Sequence, residues 1–272
     1  MFNLRLTTIF ISALLLSCSP EPVSLEVSPE PAAVSGLNGL VDETQRFNDW
    51  LDEEWEEQLR FSPQTQTSLG LKTDYNRLDD YTLAAQDAEI GWLRESVAEM
   101  ESEFNYQTLS DEGKLSWDMW KDSLTVAEEG IPFRNHQYLF GRGGIHARLP
   151  NFLINLHSVE TLEDMEAYIA RLREIDRVLN EVLLKAQQNA NEGKRPPGFA
   201  YDFAIAEIDR IIEGAPFNAT DTSPNSPLWI DTREKIDSLE ANGLIDPEAA
   251  ERLARDAREV LTEEVLQAYQ AV

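Results

Sequence analysis

The sequence predicts an all-α protein, an array of many helices with one short β-hairpin within residues 131–149. Apolar residues recur at every third or fourth position over most of the chain, the spacing that places them on one face of a helix. Ser, Thr or Asp stands before many of these segments, and Gly or Pro follows many of them. Those residue types favour the starts and ends of helices, so the boundaries support the same fold class.

The composition is that of a globular protein with a strongly acidic surface. Hydrophobic residues make up 42% of the 272 residues, which is enough for a sizeable core. The formal net charge at pH 7 is -27, from 23 basic and 50 acidic residues. Such a surface repels phosphate groups, so the charge argues against nucleic acid binding and against electrostatic docking on anionic lipids.

The N-terminus has the features of a secretion signal that ends at the only cysteine. Residues 1–17 combine a basic start at Arg5 with an apolar run, and they form the predicted signal peptide. Residues 15–18, LLSC, resemble the bacterial lipobox, in which the cysteine is lipidated and becomes the new N-terminus. We therefore predict lipidation at Cys18 and a lipid-anchored protein of the bacterial cell envelope. An ordinary secretory signal with an incidental cysteine is the alternative, and Ser19 in place of Asp favours the outer membrane over inner-membrane retention.

Composition divides the rest of the chain into a tether and one folded domain. Residues 18–39 are rich in Pro, Ser and Glu and lack helical periodicity, which predicts a flexible tether. Residues 40–272 form the predicted helical domain. Its strongest helix begins at Thr161, which has capping-box spacing to Asp164, and runs to Gly193. The other predicted helical segments are 47–59, 62–70, 82–104, 110–130 and 201–212, with two further helices that start at 226 and 246.

Residues 130–159 differ from everything around them, because they contain no Asp or Glu. At the average frequency of acids, about five would be expected in thirty positions. The stretch holds all three histidines, and its Gly and Pro residues predict the short hairpin. We predict that it contributes a functional surface, and its candidate cleft-lining residues are Arg142, Gly144, His146 and Arg148.

No catalytic motif accompanies this stretch. The H-E-x-x-H pattern of zinc peptidases and the G-x-S-x-G elbow of serine hydrolases are both absent from the sequence. The spacing of the three histidines favours ordinary loop or core residues over a metal site, so we predict no metal ligand, no catalytic residue and no cofactor in this chain. The glycines around Arg142 could offer backbone N–H groups to a carboxylate, although a simple turn explains the same residues.

The last predicted helix keeps its apolar stripe up to the final residues. The stripe has no capping Gly, Pro or basic last turn after it. This pattern predicts a truncated product whose last helix is partly exposed, and hence marginal stability or self-association. The stripe consists of Leu253, Ala257, Val260, Leu261, Val265 and Ala268.

An ordered set of motifs resembles the N-terminal part of a bacterial family known as domain of unknown function 885. The resemblance starts at FSPQTQTSLGL, and is densest in GRGGIHARLPNFLINLHSVETLEDMEAYIARLREID. It spans nearly all of the mature chain but only about the first half of a family member. The residues that carry it include Pro63, Thr67, Gly70, Asp79, Asp80, Thr82, Gly144, Leu149, Phe152, Leu153, Thr161, Asp164, Tyr168, Arg171, Leu172, Pro196-Pro197, Ala215-Pro216-Phe217, Ser226-Pro227-Leu228 and 265–269.

The resemblance implies a secreted lipoprotein related to helical zinc carboxypeptidases and oligopeptidases. In that family the metal-binding H-E-x-x-H motif lies downstream of the region that this chain matches, so zinc is expected only in full-length relatives and no site residue carries over. The implied role of the matched helices is one wall of a substrate cleft.

Two hypotheses follow. In the first, the chain is the N-terminal helical portion of a metallopeptidase-like lipoprotein and is itself inactive. In the second, it is a complete helical interaction or solute-binding lipoprotein that uses residues 130–159. Expected partners are the membrane, through the lipidated N-terminus, and a peptide or small anionic ligand.

Overall fold

The structure is a computed structural model that describes residues 32–218 and 225–272, and within these ranges it contains helices and no β-strand. The all-α prediction is therefore confirmed. Cys18 and most of the predicted tether lie outside the described residues. The helices are α1 (Ala32–Leu59), α2 (Pro63–Ser68), α3 (Leu83–Glu103), α4 (Asp111–Gly130), α5 (Ile145–Leu156), α6 (Leu162–Asn191), α7 (Gly198–Ile211), α8 (Pro227–Ala241), α9 (Pro247–Val260) and α10 (Leu266–Ala271), with a π-helical turn at Leu261–Val265 between the last two.

Six of the predicted helix starts are confirmed by a capping hydrogen bond. The hydroxyl of Thr161 accepts the N–H of Asp164, while the Asp164 carboxylate accepts the N–H of Thr161, which completes a capping box at the start of α6. At the start of five other helices, the capping side chain accepts a hydrogen bond from the backbone N–H three residues ahead. The capping residues are Ser62, Thr82, Ser110, Ser226 and Asp246.

Two predicted features are wrong. Helix α1 begins at Ala32, eight positions before the expected start of the folded domain at Leu40. The expected hairpin is absent, because residues 131–133 form one 3-10 turn and residues 145–156 form α5. Pro150 lies inside α5 and concealed this helix in the sequence, since proline usually ends a helix.

The backbone hydrogen bond that Pro150 removes from α5 is replaced by a side-chain hydrogen bond from α10. Proline has no N–H to give to the carbonyl four residues earlier, which is that of His146. The hydroxyl of Tyr269 on α10 donates to this carbonyl at 2.6 Å. Tyr269 is 1% exposed, so α5 and α10 are joined by a buried hydrogen bond.

Buried side chains form two hydrophobic clusters. The larger cluster lies among α5, α6, α8, α9 and α10, with Ala204 and Ile208 from α7. The smaller cluster is contributed by α1, α3 and α4 and the segment that joins α3 to α4. Its members are Phe47, Trp50, Leu93, Val97, Met100, Phe104, Leu109 and Trp117.

The apolar stripe of the last helix is covered, and the predicted partial exposure is wrong. Leu253 and Val260 are each 1% exposed, and Val265 is fully buried. Helices α6 and α8 supply the cover, because both pack against α9. The partner that the stripe requires is therefore inside this chain.

Candidate functional site

The acid-free stretch borders an open cleft at the start of α5. The cleft has a volume of about 490 Å³ and receives Ala200 from α7. We call it the arginine cleft. Its lining residues are Gln137, Tyr138, Leu139, Gly141, Arg142, Gly143, Gly144, Arg148 and Ala200.

Two arginines give the cleft its charge. Arg142 and Arg148 are both exposed, and neither forms an ion pair with any residue that the structure describes. Arg148 lies in the N-terminal part of α5, where the helix dipole disfavours a positive charge. No acidic residue lies in the first turn of this helix. Both charged side chains that line the cleft are therefore cationic, in a protein of net charge -27.

Gly144 is required where the loop enters α5. A Cβ atom at this position would lie 2.8 Å from the carbonyl oxygen of Leu139 and 2.9 Å from the ring of His146. Neither group can move freely, because one is backbone and the other is a buried ring. Gly144 therefore allows the loop to pack closely on the start of α5.

His146 lies beneath the cleft rather than in its wall. Its side chain is fully buried, and Nε2 is 3.0 Å from Oε2 of Glu207 on α7. A carboxylate can only accept, so Nε2–H donates. Burial lowers the pKa of His146, and the neighbouring Glu207 partly opposes this shift.

Glu207 also occupies the backbone donor that the sequence suggested for an external anion. The N–H of Gly143 donates to the Glu207 carboxylate at 3.1 Å. This carboxylate thus joins the loop, His146 and α7 in one cluster. The backbone N–H of Gly143 is consequently not free for a ligand.

A second polar cluster surrounds Arg171 of α6, whose side chain is fully buried. Its guanidinium donates to the carbonyl of Arg77 at 2.8 Å and to the hydroxyl of Thr67 at 2.7 Å. It also lies 4.9 Å from the ring centroid of Tyr75 and 5.1 Å from that of Phe152. Burial lowers the pKa of Arg171 to about 10, so it remains charged at neutral pH. Sequence reasoning gave this residue no role beyond the family resemblance.

His157 is part of the Arg171 cluster. Its Nδ1 accepts a hydrogen bond from Arg171 at 2.9 Å, and its Nε2–H donates to the carbonyl of Asp164 at 3.1 Å. Acceptance at Nδ1 requires the neutral ring, and burial lowers the pKa of His157 to about 4. The third histidine, His136, is exposed in the loop before the cleft.

The histidines are thus separated rather than gathered into a metal centre. Across the described ranges, no group of three or more His, Cys, Asp or Glu side chains is arranged to hold a metal ion. The same ranges include no helix with the length and apolar character needed to cross a bilayer.

The comparisons with known proteins agree with this description of an all-α protein. The chain belongs to the family described as "Bacterial protein of unknown function (DUF885)", whose family model matches residues 63–272. No curated protein matches the sequence.

A solved structure shows the same fold. It is the crystal structure of a protein described as the putative lipoprotein from Colwellia psychrerythraea, with a TM-score of 0.64 and 16% sequence identity. The match covers 84% of this chain and 40% of that protein. The chain therefore spans less than half the length of its structural relative.

Proposed function

We propose that this chain is the helical, non-catalytic portion of a metallopeptidase-like lipoprotein of the bacterial envelope. The observation that carries the proposal is the family match over residues 63–272 combined with a sequence that has no H-E-x-x-H motif. The resemblance of the family to helical zinc peptidases supplies the reaction class. In this proposal the arginine cleft belongs to the wall of a substrate cleft.

The experiment that tests the catalytic part is a metal and activity assay on the purified full chain. We expect no stoichiometric zinc by elemental analysis and no hydrolysis of a mixed peptide library. One tightly bound zinc per chain, or hydrolysis that a chelator abolishes, would contradict the proposal.

The anchor is tested separately at Cys18. The Cys18→Ser variant lacks the thiol that the lipid would modify, so we expect it to leave the membrane fraction for the soluble envelope fraction. Ser19→Ala is the matched control and should remain with membranes. Equal membrane partition of both variants would rule out lipidation at Cys18 as the anchor.

A second candidate function is the binding of an anionic partner. The specific observation that favours it is the arginine cleft, where Arg142 and Arg148 face solvent with no ion pair among the described residues. This function requires no metal and no residue outside the chain.

A further inference from the structure

We propose that the arginine cleft binds an organic carboxylate that carries an apolar group. Arg142 and Arg148 would hold the carboxylate oxygens, and Tyr138 would contact the apolar group. The inference rests on the second candidate function and specifies its ligand.

The first step of the argument is electrostatic. Acids outnumber basic residues by 50 to 23 in this chain, and many of its other arginines have a carboxylate partner. Arg142 and Arg148 line the same concave surface and have no such partner in the described ranges. Two cations at one cleft, one of them unfavourably close to a helix N-terminus, are stabilised by a bound anion.

The second step separates a carboxylate from a phosphate. Phosphate sites in proteins commonly use several backbone N–H groups of a loop or helix start. Here the N–H of Gly143 is bound to Glu207, and the N–H of Ile145 points to the carbonyl of Leu139. The arginine side chains are therefore the groups that would bind the anion. The planar guanidinium group of arginine can donate two parallel hydrogen bonds to the two oxygens of a carboxylate. The nearby Glu207 charge also disfavours a dianion more than a monoanion.

The third step concerns the apolar part of the ligand. Tyr138 lines the cleft and is 62% exposed. Ala200 also lines the cleft, and Phe199, which precedes it in the sequence, is 63% exposed. An exposed aromatic ring next to a charged pair favours a ligand that has both characters.

The experiment is a titration of the purified full chain, followed by NMR of its backbone amides and arginine Nε–H groups. N-acetyl-L-phenylalanine is the probe, and N-acetyl-L-phenylalaninamide is the matched neutral compound. We expect saturable binding of the acid with a dissociation constant on the order of 1 mM, centred on residues 137–148 and 200. The amide should bind at least about tenfold more weakly.

Variants locate the site. Arg142→Gln and Arg148→Gln should each weaken binding of the acid about tenfold, because each removes a charged hydrogen-bond donor. Arg60→Gln changes the net charge equally at the end of α1, outside the cleft, and should bind like the wild type. N-acetylglycine should bind more weakly than the phenylalanine compound, and Tyr138→Ala should remove that difference.

Three results would overturn the proposal. Equal binding of acid and amide would remove the role of the carboxylate. Inorganic phosphate that binds through both arginines more tightly than the acid would leave an anion site but exclude this ligand class. Absence of saturable binding of any anion up to about 20 mM would reject both the ligand and the second candidate function, and would leave the peptidase-like proposal to its own assay.

Discussion

Arg171 is a fully buried charge that forms no ion pair with a carboxylate of the residues that the structure describes. Its partners are the carbonyls of Pro63, Asp74 and Arg77, the hydroxyl of Thr67 and the ring of His157. All of these groups except His157 come from α2 and the following segment, about a hundred residues away along the chain. Arg171 therefore fastens residues 63–77 to α6 through hydrogen bonds rather than through an ion pair.

The Arg171 cluster also explains several residues that carry the family resemblance. Pro63 and Thr67 contact Arg171, and Asp164 supplies the carbonyl that accepts from His157. These positions hold the fold together and do not line the arginine cleft. Their pattern therefore indicates a fold shared with the family and gives no information about chemistry.

We predict that Arg171→Met lowers the free energy of unfolding by about 3 kcal/mol, because it leaves several buried acceptors without a donor. Methionine keeps most of the side-chain length, so lost packing contributes little. Arg173→Met is the matched control on the same helix. Arg173 is half exposed with a single ion pair to Glu264 at 3.6 Å, and its loss should cost no more than about 0.5 kcal/mol. Urea denaturation of both variants measures the difference, and equal stabilities would show that the Arg171 bonds contribute nothing net.

His157 should make stability depend on pH. Its pKa is about 4 in the folded protein and near 6.5 in an unfolded chain. Between these values the unfolded chain binds a proton that the folded protein does not. The free energy of unfolding is therefore highest above pH 6.5 and falls toward pH 4, with a slope of at most about 1.4 kcal/mol per unit from this residue.

The measurement compares His157→Gln with the wild type at about pH 7 and about pH 5. A glutamine can accept from Arg171 and donate to Asp164 without titrating. The His157→Gln variant should therefore lose less stability than the wild type between these two pH values. His136→Gln alters an exposed histidine and should follow the wild type. A His157→Gln variant with the same pH dependence as the wild type would exclude His157 as its source.

Among the helices, the sequence best predicts those whose starts are set by a local capping residue. Caps such as Ser110 and Asp246 bond to backbone N–H groups three positions ahead, so the signal lies within one turn of sequence. Helix α5 differs because its start is set by the close approach of Gly144 to Leu139, and its interior contains Pro150. Neither feature resembles a usual helix signal.

The candidate site was predictable only where its signal is local in the sequence. A gap in acidic residues directs attention to Arg142 and Arg148 without any structure. Glu207 is more than sixty residues away from the loop that it binds, and the sequence holds no periodic signal for that pairing. The hydrogen bond of His146 and the occupied N–H of Gly143 both involve Glu207, so they could not be anticipated.

The link between Pro150 and the hydrogen bond of Tyr269 to the His146 carbonyl can be tested with two variants. Tyr269→Phe should destabilise the protein by about 2 kcal/mol, because the buried carbonyl of His146 loses its donor. In a Pro150→Ala background the new N–H can satisfy that carbonyl, so the same change should cost less than about 1 kcal/mol. A double-mutant cycle from urea denaturation gives the coupling. Equal costs in both backgrounds would show that Tyr269 acts through packing alone.

At the scale of the whole molecule, polar contacts join residues 63–81 to the part of the chain that forms the larger cluster. Besides the Arg171 bonds, the hydroxyl of Tyr75 donates to the carbonyl of Ser158 at 2.9 Å, and Leu78 belongs to the larger cluster. The family match starts at residue 63, where this attached segment begins. Helix α1 lies outside the match and belongs to the smaller cluster.

The two clusters differ in the number of buried side chains among the described residues, and the smaller one should open first under denaturant. Tryptophan fluorescence can follow it selectively. Five of the six tryptophans, Trp50, Trp55, Trp92, Trp117 and Trp120, lie on α1, α3 and α4. Only Trp229 lies in the larger cluster, so Trp229→Phe confines the signal to the smaller one.

We therefore expect the fluorescence transition of Trp229→Phe in urea to precede the transition in far-ultraviolet circular dichroism, which averages over all helices. The circular dichroism curve of this variant must first match that of the wild type, since Trp229 is buried and its replacement could shift the larger cluster itself. Coincident transitions would mean that the two clusters unfold as one cooperative unit. A preceding fluorescence transition would mean that α1, α3 and α4 can open while the arginine cleft, which is built on α5 and α7, stays folded.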